Sequence, residues 1–140
     1  MARIKLDFNN KVLFSTIINV RITDLNYGNH LANDKLLSIL HEARIQFLNY
    51  FGYSEMDFAG VSIIMGDVAI EYKNQAYYND QLLIEVGVSD FSRVSFDINY
   101  KISTQEKLIA KAKTGIVTFD YQQNKVTEVP QEIIEKFNHL

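Results

Sequence analysis

The stretch that decides the fold reads Asp24-Leu25-Asn26-Tyr27-Gly28-Asn29-His30-Leu31-Ala32-Asn33 and continues unbroken through Asp34-Lys35-Leu36-Leu37-Ser38-Ile39-Leu40-His41-Glu42-Ala43-Arg44-Ile45-Gln46-Phe47-Leu48. Its first half is rich in asparagine and carries Gly28, residues that tolerate the unusual backbone angles of a loop. Its second half changes period. Leu36, Leu40, Ala43, Phe47 and Phe51 recur at three- and four-residue spacing, with Leu37, Ile39, Leu48 and Tyr50 widening the stripe, and this predicts a helix over residues 34–51. The apolar face covers about half the helix, wider than a surface helix requires, so other elements must wrap around it. Asn33 is the expected N-cap, Asp34 suits the positive end of the helix dipole, and Gly52 is a natural stop.

Working outward, the flanks read as strands. Residues 3–8 alternate polar and apolar side chains and lead through Asn9-Asn10 into a second expected strand over residues 12–22. Beyond the helix, strands are expected over 62–72, 81–89, 94–102 and 108–119. The clearest alternation is Val94, Phe96, Ile98, Tyr100 and Ile102 against Ser95, Asp97, Asn99 and Lys101. In the last long strand the apolar phase changes near Gly115, from Leu108, Ala110 and Ala112 to Val117 and Phe119, which predicts a bulge or bend there. Pro130, followed by Ile133, Ile134 and Phe137, opens a short terminal helix. One long apolar helix with a run of antiparallel strands around it is the economical packing, an α+β domain spanning residues 1–140.

Composition narrows the function classes. The net charge of −3 and scattered basic residues give no electrostatic footprint for nucleic acid. With no cysteine, thiolate nucleophiles, disulfides and Cys-based zinc sites are excluded. The start of the chain has no apolar run of signal-peptide length, and no apolar stretch approaches the roughly 20 residues of a membrane span, so a cytoplasmic protein is expected. No phosphate-cradling glycine loop, serine elbow or His-Glu-x-x-His pair occurs, and no metal is expected.

The segment from Asp24 to Asn33, with His41-Glu42-Ala43-Arg44 and Phe47-Leu48 following, resembles the signature of hotdog-fold thioesterases in the branch related to 4-hydroxybenzoyl-CoA thioesterase. There an Asp-x-Asp-x-x-Gly-His-Val-Asn-Asn loop leads into a helix bearing Glu-Ala-Arg. Val68-Ala69-Ile70-Glu71-Tyr72 and Val117-Thr118-Phe119-Asp120 are similar to later family stretches, so the likeness runs from about Val12 onward. It implies a long central helix wrapped by a curved antiparallel sheet of about five strands. It also implies a homodimer or dimer of dimers, with an acyl-CoA or acyl-carrier-protein thioester bound between subunits. Coenzyme A is then part of the substrate, and no separate cofactor is implied.

By the same resemblance, the backbone N–H of Asn33 or Asp34 is the expected oxyanion donor, a role that helix N-termini fill because their first amides lack intrahelical partners. The second aspartate of the family motif is its catalytic carboxylate, and here that position is Asn26, which neither ionises nor attacks. Asp24 matches the first aspartate, in a loop-bracing role. Asn26 is then expected to orient water or the carbonyl, with proton work left to His30. Asp34 is a candidate substitute carboxylate or, as the preferred reading, a stabiliser of the helix start, Glu42 is a weaker candidate or a helix-surface or interface glutamate, and Lys73 and Lys101 are weak candidates for coenzyme A phosphates. Arg44, inside the apolar stripe, is expected in a structural salt bridge, and His41 on the surface. Two rivals to hydrolysis are a binding module that kept the pocket and lost the carboxylate, and a hydratase or dehydratase on the same fold.

Overall fold

In the computed structural model, which describes residues 2–140, the elements run β1 (Phe14–Asn19), a 3-10 turn (Ile22–Asp24), α1 (Asn33–Tyr50), β2 (Ser62–Tyr72), β3 (Gln81–Ser89), β4 (Ser95–Ser103), β5 (Leu108–Asp120), β6 (Lys125–Val126) and α2 (Gln131–Asn138). Hydrogen bonding orders the sheet β1-β3-β4-β5-β2, with every neighbouring pair antiparallel and the short β6 beside β5. α1 packs on one face of this sheet, giving the hotdog arrangement. Leu40, Ala43 and Phe47 of the helix and Ile84, Val86, Ile98, Tyr100 and Ile102 of the strands are all fully buried. At about 1.5–3 kcal/mol per large apolar side chain, this contact outweighs intrinsic propensity and holds α1 against the sheet. Phe137 of α2 stacks on Phe47 at 5.7 Å between ring centroids, so the terminal helix closes one end of the core.

The helix starts one residue from expectation. Ala32 is the N-cap and uses no side-chain hydrogen bond, so Asn33 is the first helical residue instead. Gly52, at φ +84°, follows the helix as predicted, in a conformation that costs other residues more.

Three strand expectations need correction. Residues 3–8 form no strand: β1 already occupies the outer edge of β3, and Leu6 donates its N–H to the Glu71 carboxylate at 3.0 Å. The first strand also begins at Phe14 and ends at Asn19, inside the expected 12–22. In β5 the inward phase never breaks, because Thr114 and Thr118 are fully buried between Ala112, Ile116 and the core. Tyr100 and Thr114 share a hydrogen bond at 2.9 Å, while the Thr118 hydroxyl donates to the Thr127 carbonyl with the Val94 carbonyl also in reach, so both hydroxyls are satisfied inside. The irregularity lies across the ladder, as a register shift in β2 between Met65 and Asp67. There Asp67 turns its carboxylate onto the Gly115 N–H at 3.0 Å and onto Lys113 at 2.8 Å.

Candidate active site at the start of the central helix

The 24–32 segment is a tight loop held by backbone bonds. Asn26 donates to His30 O at 3.0 Å, Asn29 to Asn26 O at 3.0 Å, and Ala32 to Asp24 O at 2.9 Å. Asn29 takes φ +64°, a conformation that asparagine adopts more readily than most residues. The loop is tied to the chain after β2 by Leu31 N–H to Ala76 O at 2.8 Å, next to a bridge between His30 and Tyr77. At its base Asp24 is only 2% exposed, and its carboxylate accepts the Arg21 N–H at 2.8 Å and the Arg21 guanidinium at 3.4 Å.

At the tip, Asn26 Oδ1 accepts the Gly28 N–H at 2.8 Å, and Asn26 Nδ2 lies 3.4 Å from His30 Nδ1. A side chain at position 28 would press on this tip. A Cβ there would sit 3.2 Å from both Asn26 Oδ1 and His30 Nε2.

Beside this tip a cleft of about 340 Å³ opens, with His30, Asn33, Tyr72 and Lys73 on its wall and Leu31, Leu36, Ala76 and Ile109 supplying apolar lining. Among the described residues, neither the Asn33 nor the Asp34 amide donates to another group. Such amides at a helix start suit an oxygen acquiring negative charge. The Tyr72 hydroxyl donates to Asn33 O at 3.1 Å, pinning the first turn of α1 to the end of β2. Burial, then the charge of Asp34, raises the Tyr72 pKa, so its hydroxyl stays a donor at neutral pH.

Of the residues singled out from sequence, His30, Asn33 and Lys73 meet in this cleft, and Asn26 reaches it through His30. Lys73 Nζ is paired with Glu71 at 2.8 Å. Asp34 is exposed at the helix start and does not line the cleft. Glu42 lies further along α1, accepting from Gln46 at 2.8 Å, and Lys101 stands mid-sheet between Glu85 and Lys111, so neither joins the group. Arg44, buried at 5% exposure, bonds Glu55 at 3.1 Å, the salt bridge expected of it; His41 reaches the same carboxylate at 3.1 Å. Sequence reading assigned Tyr72, Asn74 and Gln75 no role, although Tyr72 stood inside a matched stretch. Nothing in a strand-end tyrosine alone signals that it reaches a helix 39 residues earlier.

The profile of the Thioesterase-like superfamily matches residues 20–137, which takes in the loop, the helix and the sheet. The chain belongs to this family. A 1,4-dihydroxy-2-naphthoyl-CoA hydrolase from Microcystis aeruginosa is 31% identical over 75% of this chain and 78% of its own length. The acyl-CoA thioesterase YbgC of Haemophilus influenzae is 21% identical over 91% of this chain and 96% of its own. Among solved structures, a Synechocystis 1,4-dihydroxy-2-naphthoyl-CoA thioesterase superposes with a TM-score of 0.80 at 22% identity, covering 91% of this chain and 96% of that one. That likeness establishes the hotdog fold of this family member. Thioester hydrolysis is the chemistry for which these relatives are named. Among the described residues no helix is long and apolar enough to cross a membrane.

Proposed function

We propose that residues 1–140 act as one hotdog unit in the cytoplasm, hydrolysing an acyl-CoA or acyl-carrier-protein thioester in a cleft completed by a second copy of the chain. The observation that carries this reading is the pair of unpartnered amides at Asn33 and Asp34 beside the Asn26–His30 loop, in a member of a thioesterase family. The thioester carbonyl oxygen would accept from the Asn33 N–H while water adds to the carbonyl carbon. Collapse of the tetrahedral intermediate then breaks the C–S bond, releasing the thiol and the carboxylic acid. His30 and Asp34 are the groups at this edge able to take the water's proton. Lys73 would meet phosphate oxygens of coenzyme A by exchanging its contact with Glu71.

Support for the second copy comes from β2, whose outer edge pairs with no strand among the described residues and which exposes Ile64, Met65, Val68 and Tyr72 at 38–46%. Pairing two such edges would cover these side chains and make one sheet of both protomers, as a dimer or a dimer of dimers. Thiol release from a panel of short, long and aromatic acyl-CoAs tests the reading: saturable turnover of at least one supports it, and none with any, on folded protein, refutes it.

A second reading has one specific observation behind it. Among the described residues no carboxylate lines the cleft. The chain would then hold thioesters without cleaving them, and acyl-CoA would raise the melting temperature while no thiol appeared.

A further inference from the structure

The hydrogen bonds around Asn26 decide what His30 can do. A backbone N–H can only donate, so the atom of Asn26 that meets the Gly28 N–H at 2.8 Å must be the carbonyl oxygen. The amide nitrogen is thereby turned toward His30 Nδ1 at 3.4 Å. An amide NH2 only donates, so Nδ1 has to accept, and the neutral ring carries its proton on Nε2. Nε2 has no hydrogen-bond partner among the described residues, and the missing side chain of Gly28 leaves that edge of the ring open, since a Cβ there would come within 3.2 Å of it.

We infer that His30 is a hydrogen-bond donor to the thioester carbonyl through Nε2–H, joining the Asn33 amide around the developing oxyanion rather than taking the proton of the attacking water. This rests on the hydrolytic reading above and assigns one of its groups. An aspartate at position 26 would still accept from Gly28, but its second oxygen would face Nδ1 and draw the proton there, leaving Nε2 as a base. The amide at this position thus converts His30 from a base into an electrophile. The water's proton is left to Asp34 or to a carboxylate of the second copy.

Two measurements on the full-length protein test this. Long-range 1H–15N spectra at about pH 8.5, above the ordinary imidazole range, would be assigned to His30 by the signals lost in His30→Gln. Protonated Nε2 with bare Nδ1 in the wild type, switching to protonated Nδ1 in Asn26→Asp, is expected; protonated Nδ1 in the wild type overturns the inference. In the thiol-release assay, His30→Gln keeps an amide N–H near Nε2 but cannot act as a base. It should retain kcat within about tenfold, whereas His30→Ala loses roughly 10²–10³-fold with little change in KM, the usual cost of removing one oxyanion donor. Equal loss in both variants, or no loss in His30→Ala, overturns the assignment. If wild-type protein shows the Nε2–H pattern yet turns over no thioester, the hydrolytic reading and the catalytic role fall together while the tautomer stands.

Discussion

At position 28 a methyl group has almost no room, because its neighbours are the two atoms that organise the loop tip, Asn26 Oδ1 and His30 Nε2, both at 3.2 Å from an ideal Cβ. Gly28→Ala should therefore displace His30 by a few tenths of an ångström or more while leaving the core untouched. The expected outcome is kcat lower by roughly ten- to a hundredfold with the melting temperature nearly unchanged. Thiol release and thermal unfolding read the two effects separately. Tyr72→Phe removes the bond to Asn33 O while keeping the ring, and should cost about 0.5–1.5 kcal/mol of stability by denaturant titration. At this scale the sequence showed which residues belong to the loop, since glycine and asparagine carry a local conformational signature. It did not show that Asn26 and His30 bond through particular nitrogens, or that Tyr72 reaches the helix. The first is set by the exact side-chain geometry of a loop four residues across, which residue types alone do not fix, and the second by packing between segments 39 residues apart.

Among the elements, α1 was the most legible, because a wide three-to-four-residue stripe has only one periodic reading. Its start was misplaced by one residue, since Ala32 ends the loop without a side-chain cap and leaves no residue-type signal. β5 misled for a different reason. Thr114 and Thr118 face inward as polar residues satisfied by Tyr100 and by backbone carbonyls, so a purely hydrophobic reading lost the phase. Arg44 was readable as a buried cation needing a partner, but Glu55 as that partner was not. Burial pushes the Glu55 pKa up, yet the hydrogen bonds and charges of His41 and Arg44 outweigh it and hold the carboxyl below its ordinary value of 4.5. A carboxyl lowered by folding stabilises the native state above its unfolded value, and that contribution is lost as pH falls through the folded value. Acid unfolding should accordingly show wild-type protein losing more stability below about pH 4.5 than Glu55→Gln does. At neutral pH the variant should be the less stable of the two, because Arg44 keeps its buried charge without a carboxylate.

For the whole molecule, the proposed assembly rests on the edge of β2, which pairs with no strand among the described residues and exposes Met65 and Val68. Val68→Lys would place a charge on this edge, and light scattering should show a dimer for the wild type and a shift toward monomer for the variant, with thiol release falling in parallel if the second copy completes the cleft. Assembly is hard to read from one sequence, because an edge strand and a central strand both alternate and only the partner distinguishes them. The first amide of α1 is the proposed contact to the oxyanion. Position 33 is the first helical residue, and Ala32 before it holds φ −73° and ψ 143°, a conformation that suits the residue preceding proline. Asn33→Pro therefore removes the proposed oxyanion N–H while leaving the helix and the Asn33 carbonyl position in place. We predict kcat for the best acyl-CoA lower by roughly 10²–10³-fold with a preserved melting temperature; a folded Asn33→Pro variant as active as wild type would contradict the account.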